Sequence, residues 1–160
     1  MGDALVVAYL ELHGFEDEVF AHNHPGGSLG KKMLTTIGDL MHTGDQVPIV
    51  YENSDLSVVI SEMTQKRLGV TLITNKKKQL KGIITDGDLR RMIEDKKDIS
   101  KIRALDLSKS FPKWLEHNNL ATKAVQLMEK HMITSLVVSA NGKKIDGIIH
   151  LHDLLKAGII

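Results

Sequence analysis

The chain has 160 residues, 42% of them hydrophobic and 26% charged, which is the balance of an ordinary globular protein. Its 21 basic and 20 acidic side chains leave a formal net charge of +1, and aromatic residues make up only 4%. A nucleic-acid surface is not expected, because such surfaces are strongly basic or carry stacking aromatics. The absence of cysteine excludes disulfides and thiolate chemistry. No apolar run approaches the ~20 residues that span a bilayer, and the first residues do not resemble a signal peptide. We therefore expect a cytoplasmic protein without membrane contact.

The first third of the chain predicts helices and one loop. A helix from Asp3 to about His13 is apolar on almost every face, which indicates that it is buried against other structure. Gly14 is expected to end it. The run from His24 to Gly30, His-Pro-Gly-Gly-Ser-Leu-Gly, is typical of a loop.

From Ile37 onward the pattern changes to short strands and helices. A turn is predicted at Gly38–Met41, and a charged linker after the last helix at 95–100. Between them we predict, in chain order, a strand near 48–50, a helix over 55–67, strands over 70–74 and 80–84 with a polar turn between them, and a helix over 86–94.

The same pattern then recurs. Gly-Ile-Ile-Thr-Asp-Gly-Asp-Leu at 82–89 matches Gly-Ile-Ile-His-Leu-His-Asp-Leu at 147–154, with five of the eight positions identical. An internal repeat of this kind predicts two β-α-β-β-α units. Because each unit has too little apolar surface to be stable alone, we expect the two to pack sheet to sheet around a shared core.

The duplicated Gly-Ile-Ile-Thr-x-x-Asp motif resembles the paired CBS domain, or Bateman module. Four motifs in order also resemble the C-terminal part of the D-arabinose-5-phosphate isomerases of the KpsF/GutQ family; these motifs begin at His24, Asp39, Thr85 and His150. The resemblance implies an α/β (α+β) fold in three parts. These are the helical tail of a sugar-isomerase (SIS) domain at 1–36, CBS repeat 1 at 37–98 and CBS repeat 2 at 99–160.

The same resemblance implies what the parent enzyme does. It interconverts D-ribulose 5-phosphate and D-arabinose 5-phosphate on the route to Kdo, a sugar of bacterial lipopolysaccharide. His24 falls on a histidine that the family is proposed to use in catalysis, in the full-length enzyme only. The family's other proposed catalytic groups and its phosphate-binding serine loops have no counterpart here. We therefore expect this chain alone to have no isomerase activity.

The Thr85-x-x-Asp88 motif has two interpretations. The structural one is a capping box, in which Thr85 caps a helix and Asp88 reaches back to it. The functional one, favoured by the CBS resemblance, is that Asp88 accepts hydrogen bonds from both ribose hydroxyls of a nucleotide. The helix N-terminus, with Arg90 or Arg91, would then hold phosphate.

The second copy of the motif keeps Asp153 but places His150 where the first has threonine, so the two sites are not expected to be equivalent. The resemblance assigns base-binding groups to the start of the first strand and the segment before the second. In the first repeat, these groups are Val47, Pro48 and Thr71, with Ile49, Gly69 and Val70. The alternative for each is an ordinary core or turn residue.

Other features favour structural interpretations. The pairs His22/His24 and His150/His152 lack the ligand spacing of a zinc site, so no metal is predicted. The Lys76–Lys78 run is expected at a solvated turn. Trp114, at the expected start of a strand, is expected to pack in the core or against a second copy.

Two functional hypotheses follow. In the first, the pair is a regulatory module that binds a nucleotide or a nucleotide-sugar such as a CMP-sugar and requires no cofactor. In the alternative, it is a structural oligomerisation module with vestigial clefts. A homodimer through the CBS pairs is expected in either case.

Overall fold

The computed structural model describes residues 34–95 and 101–160, which form two similar three-stranded units. The elements of the first unit are β1 (Ile49–Tyr51), α1 (Leu56–Lys66), β2 (Val70–Thr74), β3 (Leu80–Thr85) and α2 (Asp86–Glu94). In its sheet, strand β1 is parallel to β2, and β3 is antiparallel to β2.

The second unit repeats this topology, again with one parallel and one antiparallel strand pair. Its elements are α3 (Ala104–Leu107), β4 (Trp114–Leu115), α4 (Ala121–His131), β5 (Ser135–Val138), β6 (Gly147–His150) and α5 (Leu151–Lys156). The predicted fold of two β-α-β-β-α repeats is confirmed. The linker prediction concerns residues that lie mostly outside the described part of the chain, and the helix at 3–13 lies wholly outside it.

The apolar spacing of each helix explains how it packs. Leu56, Val59 and Met63 recur at helical spacing along α1 and are buried against the first sheet. The equivalent face of α4 buries Ala121, Ala124, Val125 and Met128. Both helices end in a left-handed residue, Arg67 and Met132 respectively, which turns the chain back toward the next strand.

The two sheets share a core, as the sequence predicts. Val70 and Leu72 of β2 and Val47 before β1 pack in one cluster with Val137 of β5 and Ile148 of β6. Since side chains alternate across a strand, Ile73 faces the other way, into the cluster beneath α1 and α2. Thr71 shares the face of Ile73.

Each unit also completes the core of the other. Ile37, at the start of the first repeat, packs with Leu136 and Ile149 of the second. Conversely, Ala104 and Leu107 of α3 pack in the cluster of the first unit. The repeat boundaries in the sequence therefore do not coincide with the boundaries of the packed cores. Within the described ranges, no helix is long and apolar enough to cross a membrane.

Candidate functional site

The Thr85-x-x-Asp88 motif lies where β3 ends and α2 begins, and it forms the capping box that its sequence suggests. Asp88 Oδ2 accepts hydrogen bonds from the Thr85 backbone N–H at 2.9 Å and the Thr85 hydroxyl at 2.6 Å. The Asp88 N–H donates back to Thr85 Oγ1 at 3.3 Å. The box fixes the direction of the carboxylate at the first turn of the helix.

The other carboxylate oxygen, Asp88 Oδ1, accepts a hydrogen bond from Arg91 at 2.6 Å. Burial raises the pKa of Asp88, but the hydrogen bonds from Thr85 and Arg91 together outweigh it and hold the pKa below its ordinary value. Asp88 is only 9% exposed and remains an anion at neutral pH. A carboxylate oxygen can accept more than one hydrogen bond, so Oδ1 retains capacity for a ligand hydroxyl.

Asp88 lies on the wall of a cleft between the two units, with a volume of about 540 Å³. We call it the Asp88 cleft. The first unit contributes one wall: Val70, Ile83, Thr85 and Asp88. The second unit contributes the opposite wall, from two segments, Lys109–Lys113 before β4 and His131–Ser135 before β5.

The Asp88 cleft combines apolar and cationic groups at its mouth. Met132 is 93% exposed and Phe111 is 51% exposed, and both line the cleft. The Lys109 and Lys113 side chains belong to the same wall, and both residues are exposed. Flat apolar surface beside free ammonium groups and a buried carboxylate suits a ligand with an aromatic ring, hydroxyl groups and an anionic group.

Of the six residues predicted to hold a base, Val70 lines the Asp88 cleft and the other five do not. Val47 is 5% exposed in the shared core, Pro48 is also buried, and Thr71 is fully buried on the helix side of its sheet; none of the three lines the Asp88 cleft. The cause is that the cleft lies between repeats. The segments that precede the first and second strands of one unit lie against the motif of the other unit. Pro112 and Lys113, the counterparts of Val47 and Pro48 in the second unit, therefore line the cleft beside the first motif.

The remaining predicted residues are distributed as follows. Arg91 contacts Asp88, whereas Arg90 is exposed and does not line the cleft. His24 lies outside the described residues. Trp114 begins β4 and packs against the backbone of Gly142, but it is 37% exposed and does not lie in the core. Lys76–Lys78 form an exposed turn, as predicted.

The second copy of the motif is built differently. Asp153 Oδ2 accepts from the His150 backbone N–H at 3.0 Å, so the reach-back bond is kept. The His150 ring cannot donate a hydroxyl as threonine does; its Nδ1 accepts from the His152 N–H at 3.1 Å. Asp153 Oδ2 is instead contacted by His42 Nε2 at 3.0 Å. His42 is a residue that the sequence patterns did not single out.

Burial lowers the pKa of the His150 imidazole below 6.5; the nearby His152 and His42 rings also lower it, and the Asp153 carboxylate opposes them. The His150 and His152 ring centroids are 4.8 Å apart at a steep angle. In the part of the chain that the structure describes, no three His, Asp or Glu side chains are grouped so that they could hold a metal ion.

Comparison with known proteins identifies the repeats. The family model for the CBS domain matches residues 37–95 and 106–159. This chain belongs to the CBS domain family. Arabinose 5-phosphate isomerase KdsD of Yersinia pestis is 43% identical over 160 residues, covering 100% of this chain and 48% of that protein. The resemblance seen in the motifs is confirmed, and the chain spans about half the length of the curated relatives it matches.

Solved structures agree on the fold. CBSX2 in complex with AMP has a TM-score of 0.66 at 18% identity, covering 78% of this chain and 96% of that one. CBS domain protein PAE2072 from Pyrobaculum aerophilum, complexed with AMP, has a TM-score of 0.66 at 20% identity, covering 74% and 89%. At these identities, the similarity shows the fold of the described chain, which is that of a tandem CBS pair.

Proposed function

We propose that this chain is a nucleotide-binding regulatory module and that the ligand occupies the Asp88 cleft. The observation that carries the proposal is the buried, ionised Asp88 carboxylate held by Thr85 on the wall of a cleft of about 540 Å³. That volume lies within the range of small-molecule sites. The AMP complexes of two structural neighbours add support for a nucleotide of this size.

The surrounding groups suggest how a nucleotide is held. In this arrangement, the ribose hydroxyls donate to Asp88 Oδ1, the oxygen that also accepts from Arg91. The base packs on the exposed Phe111 and Met132 side chains, and the phosphate is neutralised by Lys109 and Lys113. Arg90 has no place in this arrangement, which is a change from the sequence-based hypothesis.

We further propose that the parent protein is an arabinose-5-phosphate isomerase acting in the bacterial cytoplasm on the route to Kdo. Its 160-residue match to the KdsD relatives supports this. In this proposal, isomerisation belongs to the part of the relatives that this chain does not cover, and the CBS pair reports ligand levels to it. A CMP-sugar, as an end product, suits the Asp88 cleft as well as AMP does. Incubating this chain with ribulose 5-phosphate should give no turnover.

Isothermal titration calorimetry of the chain with AMP, ATP, CMP and CMP-Kdo tests the proposal. We expect heat of binding from at least one of the four, lost in Asp88→Asn. Asp86→Asn is the matched control, because Asp86 is in the first turn of the same helix but outside the Asp88 cleft. The proposal fails if none of the four binds at millimolar concentration, or if both variants bind like the parent chain.

A second candidate role is oligomerisation, because α1 and α2 expose apolar side chains. Ile60 is 45% exposed and Ile93 is 64% exposed, although core-facing positions of the same helices are buried. Sedimentation of the parent chain and of the Ile93→Glu variant measures whether each one self-associates. A dimer that Ile93→Glu dissociates and Asp88→Asn leaves intact would support it, whereas a monomeric parent chain would remove it.

A further inference from the structure

We propose that the hydroxyl of Ser135 forms a hydrogen bond with the nucleobase in the Asp88 cleft and selects a base that carries a polar group at its far edge. The far edge is the one opposite the bond to ribose, where adenine and cytosine each carry an amino group. This inference rests on the proposed function and deepens it. In that function, Asp88 holds the ribose and lysines hold the phosphate, whereas the base meets only apolar side chains.

Ser135 is the first residue of β5 and lies at the buried end of the cleft. It is 7% exposed, whereas Phe111 and Met132 at the mouth are largely exposed. Side chains alternate along a strand, so Ser135 shares the face of Val137, which packs in the core between the two sheets. The Ser135 side chain therefore points from the second unit toward the first, into the space between them.

The Ser135 hydroxyl is buried and has no hydrogen-bond partner in the part of the chain that the structure describes. Two buried hydroxyls elsewhere in that part do have partners. Thr74 donates to Val50 O at 3.4 Å, and Ser139 donates to Lys144 O at 2.5 Å. Burying a hydroxyl without a partner costs free energy, so a polar group of a bound ligand would gain by pairing with it.

The first unit shows that packing at this position does not require a hydroxyl. Val70 pairs in its sheet with Thr85, the residue that caps α2. Ser135 pairs in the same way with His150, which caps α5, so Ser135 is the counterpart of Val70. Both are buried and both line the Asp88 cleft. Of the buried side chains that line this cleft in the described residues, only Asp88 and Ser135 are polar.

The positions of Asp88 and Ser135 indicate which part of a nucleotide each one meets. Asp88 belongs to the wall formed by the first unit, and Ser135 belongs to the opposite wall. A nucleotide whose ribose is held by Asp88 directs the far edge of its base toward the second unit. A hydroxyl both donates and accepts, so Ser135 can accept from an amino group there or donate to a carbonyl oxygen. A base with only hydrogen at that edge offers neither interaction.

Isothermal titration calorimetry with the tightest binder among AMP, ATP, CMP and CMP-Kdo tests the role of Ser135. Ser135→Ala should weaken binding about 3- to 30-fold, the loss expected for one hydrogen bond. An analogue of the same nucleotide, in which hydrogen replaces the amino group of the base, should bind Ser135→Ala and the parent chain equally. Thr71→Val is the matched control and should keep the parent affinity. Thr71 also has a buried hydroxyl without a partner in the described chain, but it lies outside the cleft.

Thermal unfolding without ligand provides a second measurement. Ser135→Ala removes a buried hydroxyl that bonds no described residue, so its Tm should equal or exceed that of the parent chain, as should the Tm of Thr71→Val. A lower Tm, or a failure to fold, in Ser135→Ala would show that the hydroxyl stabilises the fold itself and would overturn the proposal.

The outcomes separate this proposal from the one on which it rests. Unchanged affinity in Ser135→Ala, an equal loss in Thr71→Val, or an equal loss for the nucleotide and its analogue would overturn the role of Ser135 alone, provided that Asp88→Asn still abolishes binding. No binding of any of the four nucleotides to the parent chain would overturn both proposals.

Discussion

The two copies of the motif keep the same aspartate and the same strand-to-helix geometry, yet they differ in what reaches that aspartate. Asp88 is held by Thr85 and Arg91 of its own unit and borders the cleft. Asp153 is held by the His150 backbone and by His42, which comes from the other repeat. The difference teaches that a repeated motif does not fix the contacts around it, because the side chain that reaches Asp153 Oδ2 comes from the other repeat.

The largest expected effect concerns binding. Asp88→Ala should weaken AMP affinity roughly 10- to 100-fold, since a hydrogen bond to a charged group contributes about 1.5–3 kcal/mol. Asp153→Ala should leave affinity unchanged, because His42 already contacts that carboxylate. Calorimetry on both variants measures the contrast. Equal losses in the two would show that the copies act alike.

The next effect concerns stability at two equivalent glycines. A Cβ at Gly147 would lie 2.6 Å from the backbone oxygen of His42, which is paired with Ile148. At Gly82 it would lie 2.2 Å from the Ser108 hydroxyl and 2.8 Å from the Ser108 Cβ, in a segment that meets β3 through the Ser108 side chain and can shift. Gly147→Ala should therefore lower the free energy of unfolding by about 1–3 kcal/mol, as overpacking does, and Gly82→Ala by less. Urea unfolding decides the order, and a larger loss for Gly82→Ala would contradict the rigid backbone pairing of His42 with Ile148.

A smaller difference in the free energy of unfolding is expected between variants of the two helix caps. Thr85→Ala removes a hydroxyl that both donates to and accepts from Asp88, and should cost about 1 kcal/mol. His150→Ala removes only the acceptor for the His152 N–H, so its loss should be smaller. Thermal unfolding of the two variants at pH 8 compares the caps while the imidazole is neutral. A larger loss of stability in His150→Ala than in Thr85→Ala would mean that packing of the His150 ring contributes more than the cap hydrogen bonds.

The smallest effect is a pH dependence confined to the second copy. Because burial lowers the pKa of His150 below 6.5, the folded state binds the proton less tightly than the unfolded state. Stability contributed by the neutral ring is thus present above pH 6.5 and is lost as pH falls through the folded pKa. The groups facing the ring are His152, Asp153 and His42. His150→Gln should reduce the pH dependence of the unfolding free energy between pH 7 and pH 5. An unchanged slope would exclude His150 as the source of that pH dependence.

Much of the fold was predictable because it depends on local patterns. The spacing of Leu56, Val59 and Met63 predicts α1, and the alternation and turn signals around Asn75 predict the β2–β3 hairpin. The duplicated Gly-Ile-Ile run predicts the second unit. These features depend on residues close in sequence, where periodicity carries the information.

The composition of the site was only partly predictable. Thr85 and Asp88 were identified from the motif and lie together on the cleft wall. The opposite wall was assigned to Val47, Pro48 and Thr71, whereas the Asp88 cleft is lined there by Pro112 and Lys113 of the other repeat, since a repeat in sequence does not reveal which unit each segment faces. His42 was missed because its contact with Asp153 spans 111 positions. The replacement of threonine by His150 was the signal that the second copy differs.

A crystal structure of the chain grown with whichever of AMP, ATP, CMP and CMP-Kdo binds most tightly in calorimetry tests the central claim most directly. We predict a nucleotide in the Asp88 cleft with its ribose on Asp88. A nucleotide bound away from Asp88, or an Asp88 cleft that stays empty at saturating concentrations of all four nucleotides, would contradict the claim.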